Sequence, residues 1–156
     1  MQLTRYTDYA LRVLIYLAHK KEKLTTIREI SDAYRISENH VMKIVHDLAK
    51  LRYIDTLRGK GGGLKLARAP ERINLGDVVR DTEDTLHAVE CLADDYAGSC
   101  GLAPGCGLKS VLRDAQRAFM AELDRYTLKD LAPARSGTSL LRFYKPASAS
   151  GVATRR

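Results

Sequence analysis

The chain has 156 residues, 45% of them hydrophobic, so it can bury one globular core without disulfide bonds. Its net charge of +7 favours a polyanionic partner, nucleic acid before a membrane surface. Charged residues interrupt the apolar positions of the N-terminus, and no apolar window of about 18 residues exists, which argues against a signal peptide and a membrane span. We therefore expect a cytoplasmic protein.

Three helices are predicted in the first third of the chain. Residues 6–19 carry their apolar side chains on one helical face. Residues 25–36 begin with threonines, and Glu29 follows Thr26 by three positions, the pattern of a capping box. Ser37 can cap a third helix that follows almost at once. Two short helices joined this closely after a longer one predict a helix-turn-helix.

A β-hairpin is predicted directly after these helices. Residues 53–57 and 64–67 are alternating runs, and the glycine-rich residues 58–63 separate them. A hairpin in this position is the wing of a winged helix. The predicted fold class is therefore mainly α with a small β-hairpin wing, and residues 1–80 form a winged helix-turn-helix DNA-binding domain.

The second helix of a helix-turn-helix lies in the major groove with its N-terminal residues against the base edges. Asn can pair with adenine, Lys can reach guanine or phosphate, and glycines let the wing backbone approach phosphate. The predicted DNA-binding residues are Thr26, Ser37, Asn39, His40, Lys43, Arg58, Lys60 and Gly62. A nucleotide-binding loop is rejected, because the Gly-Lys pair precedes glycines and a strand pattern.

All three cysteines, Cys91, Cys100 and Cys106, fall within residues 81–107, which we interpret as a loop region. An odd number of clustered cysteines is a poor disulfide framework for a cytosolic protein. Thiolates suit iron–sulfur clusters and zinc, and clusters usually take four cysteines, which leaves one position for another group. Zinc bound by these thiols and one further ligand, with His87 nearby, and three unrelated thiols remain open alternatives.

A long helix is predicted over roughly residues 108–126. Its apolar stripe consists of Leu108, Leu112, Ala115, Phe119, Leu123 and Tyr126. We interpret residues 108–131 as the dimerisation helix of a homodimer, which would bind an inverted-repeat operator in double-stranded DNA. Residues 132–156 are rich in Ser, Ala, Gly and Arg, and we expect a flexible tail.

Several motifs in chain order resemble those of the iron–sulfur winged-helix transcription regulators. They are MQLTRYTDYALRVLIYLA, SENHVMKIVHDLAKLRYI, RGKGGGLKLA, INLGDVVR, the cysteine loop and ELDRYTLKDL, and they cover about residues 1–131. Within this family the chain looks most like the nitric-oxide-sensing repressors. The resemblance implies control of nitric oxide stress genes, with nitric oxide as the signal, and it implies no enzymatic activity.

The resemblance also implies a ligand set. Cys91, Cys100 and Cys106 would bind a [4Fe–4S] cluster, with Asp8 donated by the partner subunit. The cluster-biogenesis type instead binds a [2Fe–2S] cluster through a His three residues after the last Cys, and that position here is Lys109. The eight-residue gap between the first two cysteines is longer than is usual in the family. A [2Fe–2S] or redox-sensing regulator and a zinc- or thiol-based repressor are the alternatives.

Overall fold

The computed structural model of the protein describes residues 2–20, 23–98, 100–102 and 105–131. The winged-helix domain consists of four helices and two strands, α1 Arg5–Lys20, α2 Ile27–Tyr34, α3 Glu38–Lys50, β1 Ile54–Leu57, β2 Gly63–Leu66 and α4 Leu75–Thr82. Two helices follow the cysteine loop, α5 Gly107–Asp124 and α6 Leu128–Leu131. Single 3-10 turns lie at Pro70–Arg72 and Glu90–Leu92.

Local capping signals fix where the helices of the helix-turn-helix begin. The Thr26 hydroxyl accepts from the Glu29 amide at 3.2 Å, and the Glu29 carboxylate accepts from the Thr26 amide at 2.9 Å, which confirms the capping box. Ser37 caps α3 by accepting from the His40 amide at 3.4 Å. Between these helices Arg35 adopts a left-handed φ of 54°, which turns the chain sharply.

The wing is an antiparallel hairpin in which Ile54 pairs with Leu66 and Leu57 with Gly63. Thr25 extends the hairpin by one bridge, since its amide donates to the Leu64 carbonyl at 3.0 Å and its carbonyl accepts from the Leu64 amide at 2.8 Å. The start of α2 is thereby attached to the wing. A mainly α fold with a small hairpin wing is confirmed.

One hydrophobic core holds these elements together. The buried face of α1 includes Ala10, Val13, Leu14 and Leu17, as its periodicity predicts. The helix-turn-helix contributes Ile30, Val41, Ile44 and Leu48 to the same core. Leu128 of α6 is also fully buried there, although it follows the long helix in sequence. The chain therefore returns to the winged-helix domain after α5.

The elements observed after the wing differ in detail from those expected, and the division of the chain into domains stays a prediction. The region 108–131 contains two helices, because α5 ends at Asp124 and α6 begins at Leu128. The expected domain boundary at residue 80 falls inside α4, which continues to Thr82. The cysteine loop contains a short 3-10 turn at Glu90–Leu92.

The predicted tail at 132–156 lies outside the described residues. Within the described ranges, no helix combines the length and apolar character that crossing a membrane requires.

Two tyrosines of the winged-helix domain donate hydrogen bonds to aspartates on other elements. Tyr6 in α1 donates to Asp47 in α3 at 2.9 Å, and the buried Tyr53 donates to Asp81 in α4 at 2.6 Å. Burial and the hydrogen bond to Asp47 raise the pKa of Tyr6 to about 12. Burial and the bond to Asp81 also raise the pKa of Tyr53. Each of these hydrogen bonds stabilises the fold only while the tyrosine is protonated.

These tyrosines predict a loss of stability at alkaline pH. A raised folded-state pKa means that the stabilisation is complete below the ordinary tyrosine pKa of 10.0 and is lost as the pH rises towards about 12. Ultraviolet titration of tyrosinate should show Tyr6 and Tyr53 ionising well above the ordinary tyrosine pKa. Tyr6→Phe should remove the component near pH 12 and leave the other late one. Ionisation of all eight tyrosines near pH 10 would contradict this assignment.

Candidate DNA-binding surface and cysteine loop

The exposed face of α3 carries the residues predicted to read DNA. Asn39, His40 and Lys43 are exposed, and so is the capping Ser37. They face outward because Val41, Ile44, Val45 and Leu48 on the opposite side are buried in the core. Polar groups that can donate to and accept from base edges therefore form one surface on a helix of 13 residues.

Three further residues of this face were missed by the sequence analysis. Met42 is 51% exposed, and His46 and Lys50 are also exposed. From Asn39 they follow at helical spacings of three, seven and eleven, which is the signal that could have found them. An exposed methionine on this surface offers an apolar contact of the kind that a thymine methyl group accepts.

The wing tip carries the remaining predicted contacts. Arg58 and Lys60 are exposed. The Gly62 amide donates to the Gly59 carbonyl at 2.9 Å, which closes the turn. A Cβ at Gly62 would overlap the carbonyl oxygen of Leu57, so this position requires glycine. Thr26 is exposed at the start of α2, next in sequence to the residue that bridges to the wing.

The three cysteines are free thiols. Cys91 is partly buried in the 3-10 turn, Cys100 is exposed, and Cys106 is partly buried where it caps α5. Among the described residues, no three His, Cys, Asp or Glu side chains converge to hold a metal ion. The single chain therefore does not present the predicted ligands as an assembled site, and His87 does not complete a zinc site with them.

The loop nevertheless suits an iron–sulfur cluster in its chemistry. Thiols are the donors that such clusters use, and no disulfide ties any of these three. Gly101, Gly105 and Gly107 have open space where a side chain would project. The loop therefore has donors of the right type together with room around them. The donor set fits the group that the resemblance implies.

Asp8 lies in the first turn of α1 and is bound by Arg12 of its own chain. The Arg12 guanidinium contacts the two carboxylate oxygens of Asp8, each at 2.9 Å. The side chain of Asp8 remains 46% exposed, so a second chain could reach it. Lys109, at the position where the cluster-biogenesis type has its ligand, is partly buried in the first turn of α5.

The long helix α5 has no buried residue in the single chain. Leu108 is 60% exposed and Val111 is 63% exposed, while Leu112 and Phe119 are partly buried. The helix packs against α4 of its own domain and leaves this apolar surface uncovered. Two exposed apolar side chains near the start of one helix are consistent with a surface that another chain covers.

A winged helix with an exposed polar recognition face and an appended long helix defines a DNA-binding transcriptional regulator. The family model Rrf2, described as "Iron-dependent Transcriptional regulator", matches residues 3–134. The chain belongs to this family of transcriptional regulators, which are not enzymes.

Relatives within the family carry the name NsrR. The chain is 51% identical to "HTH-type transcriptional regulator NsrR" of Bacillus licheniformis over 132 residues, which span 84% of this chain and 92% of that protein. It is also 51% identical to the protein of the same name in Bacillus subtilis, over 84% of this chain and 90% of that one. The expected resemblance to this member of the family is confirmed.

A solved structure supports the same fold. The structure of CymR, the global cysteine regulator of B. subtilis, superposes with a TM-score of 0.69 at 28% identity. The match covers 85% of this chain and 96% of that one. This likeness supports the winged-helix fold of the chain.

Proposed function

We propose that this chain is a cytoplasmic, homodimeric repressor that senses nitric oxide through a [4Fe–4S] cluster and releases its operator DNA when the cluster is nitrosylated. The observation that carries this proposal is the confinement of three free thiols to the loop between the winged-helix domain and the long helix. The resemblance to NsrR, the nitric-oxide-sensing repressor of the family, gives the signal. The genes it controls would serve nitric oxide stress.

The DNA contacts follow from the exposed faces of α3 and the wing. Asn39, His40 and Lys43 would meet base edges and phosphates in the major groove, and Ser37 and Thr26 would contact the backbone near the helix starts. Arg58 and Lys60 would contact phosphate or the minor groove from the wing, with Gly62 allowing close approach. These are the positions that carry affinity and specificity.

The exposed apolar surface of α5 supports a homodimer. A second copy could cover the side chains of Leu108 and Val111, which are exposed in the single chain. Two-fold symmetry would then place two recognition helices about 34–36 Å apart, one turn of the DNA helix. The operator would accordingly be an inverted repeat.

Four residues would hold the cluster, namely Cys91, Cys100 and Cys106 of one chain and Asp8 of the partner subunit. When bound, the cluster supplies iron atoms with which nitric oxide can react. Asp8 would contribute a carboxylate where the other ligands are thiolates, and it would exchange its contacts with Arg12 for that role. Because Asp8 belongs to α1, its ligation would tie the partner's winged-helix domain to the cysteine loop.

The coupling required between the cluster and DNA binding is modest. A hundredfold loss of operator affinity corresponds to about 2.7 kcal/mol. A change in how two winged-helix domains are held relative to each other can supply this amount, because each domain contributes its own phosphate contacts. The proposal therefore requires no unfolding of either domain.

The testing experiment begins with purification without oxygen, followed by iron and sulfide assays and visible absorption. We expect a brown protein with about four iron and four sulfide per chain. A nitric oxide donor added to the protein–operator complex should then release the DNA. Undiminished binding would reject the sensor and leave a DNA-binding regulator. One zinc per chain, or about two iron per chain, would support the zinc or [2Fe–2S] alternatives.

A further inference from the structure

The C-terminal end of α5 is fastened to α4 by contacts that meet at Asp124. Arg80 of α4 donates from Nη2 to both carboxylate oxygens of Asp124, at 2.7 and 2.6 Å. The same guanidinium contacts Asp77 through Nη1 at 2.9 Å. The carbonyl of Asp124 accepts from the side-chain amide of Asn74, which caps α4, at 2.7 Å.

Gly76 makes this close approach possible. A Cβ at Gly76 would overlap the carboxylate of Asp124. Gly76 is the second residue of α4 and lies in its first turn, two positions after the capping Asn74. The first turn of α4 can therefore lie directly against the end of α5. We call Gly76, Arg80 and Asp124 the joint.

The segment that follows α5 also forms backbone hydrogen bonds with the residues at the start of α4. The Leu75 amide donates to the Tyr126 carbonyl at 3.0 Å, and the Leu128 amide donates to the Ile73 carbonyl at 2.8 Å. The side chain of Leu128 is fully buried in the core. The end of α5 is consequently fixed to the winged-helix domain by side-chain and backbone contacts together.

The opposite end of α5 bears the proposed cluster ligand. Cys106 caps this end without a side-chain hydrogen bond. Further along the helix, Gln116 accepts from the Ala88 amide at 3.1 Å. The helix has 18 residues and is therefore about 27 Å long. A tilt of about 10° at the joint would displace the far end by about 5 Å, more than the rise of one base pair, about 3.4 Å.

We infer that Asp124, held by Arg80 and admitted by Gly76, is a positioning residue that sets the angle between the long helix and the winged-helix domain. In the dimer this angle determines the half-site spacing that the two recognition helices accept. The inference rests on the proposed DNA-binding dimer. Asp124 and Arg80 are 41% and 40% exposed, and exposed ion pairs contribute little to stability, so their loss should leave the domain folded.

The test measures preference for half-site spacing. Operators selected from random double-stranded DNA by the wild-type holoprotein are altered by inserting or removing one or two base pairs between the half-sites. We expect Asp124→Ala and Gly76→Ala to reduce the discrimination between spacings by about fivefold or more, with half-site affinity retained. Asp114→Ala is the matched control, because Asp114 lies on α5 with its side chain 68% exposed.

A double variant separates a specific joint from general damage. In the Asp124→Ala background, Gly76→Ala should cause no further loss, because the added methyl group no longer meets a carboxylate. Unchanged spacing preference in both single variants would overturn the inference while leaving the proposed function intact. An equal loss on every spacing and on the half-site, with a lowered melting temperature, would also overturn it. If the wild type bound operators of every half-site spacing with equal affinity, the proposed dimer with two recognition helices would be rejected, and the inference with it.

Discussion

Cys106→Ser is expected to give a colourless protein that lacks the visible absorption of the wild type and binds the operator about a hundredfold more weakly, which is about 2.7 kcal/mol. Removal of one thiolate leaves two cysteines, and serine oxygen is a poor donor for an iron–sulfur cluster. Cys106 lies outside the core cluster of buried residues, so the winged-helix domain should remain folded. Iron, sulfide and operator-binding assays without oxygen measure the effect.

The control for this substitution is Gly105→Ser. It places the same hydroxymethyl group beside Cys106, where a side chain has open space, and it keeps all three thiols. This protein should remain brown. A Cys106→Ser protein with the iron and sulfide content of the wild type would contradict the assigned ligation.

Asp8→Ala should have an intermediate effect, with an altered spectrum or a less stable cluster, because only the carboxylate ligand is lost.

Gly62→Ala is expected to weaken operator binding about tenfold and to reduce its salt dependence by about one to two phosphate contacts. The added Cβ would overlap the Leu57 carbonyl oxygen, which belongs to the backbone and cannot move without reshaping the turn. Arg58 and Lys60 on that turn would then leave their positions against the DNA. Fluorescence anisotropy at several salt concentrations measures the affinity and the slope.

Lys60→Ala is the matched comparison, because it removes one charge without changing the turn. The slope of log affinity against log salt concentration should fall by about one in Lys60→Ala. Its operator affinity should fall less than that of Gly62→Ala. Thermal unfolding should separate wing damage from loss of the core, since the wing tip is exposed. Wild-type affinity and slope in Gly62→Ala would show that the wing does not contact DNA.

Much of the fold could be predicted because its signals are local. Thr26 and Ser37 begin helices through bonds to residues three positions away, and such spacing is visible in the sequence. The wing follows from the glycines between two alternating runs. The buried face of α1 follows from its periodicity. Each of these features depends on neighbours within a few residues of the chain.

The end of α5 could not be predicted in this way. Its apolar spacing continues to Tyr126, but the helix ends at Asp124. Asn74 and Thr127 form a bridge in the structure, and they lie far apart in sequence. The burial of Leu128 has the same origin, because its partners belong to the winged-helix domain. Sequence periodicity reports one face of a helix and does not identify what that face meets.

The cysteine site is the part that neither the sequence nor a single chain completes. The confinement of Cys91, Cys100 and Cys106 to one loop indicates metal chemistry, but their thiols do not form a site for a metal ion among the described residues. The fourth proposed ligand, Asp8, is paired with Arg12 in its own chain. The proposed site, with a cluster and a ligand from a second subunit, would be completed only in the dimer.

Leu128 follows α5 in sequence, but its side chain is buried in the core of the winged-helix domain. The winged-helix domain is built from two separate stretches of sequence, and the cysteine loop with α5 is an insertion between them. A fragment that stopped after α4 would lack the core side chain of Leu128. The winged-helix domain is therefore not expected to be fully stable when it is separated from α6. An insertion with both ends anchored can change in length at little entropic cost.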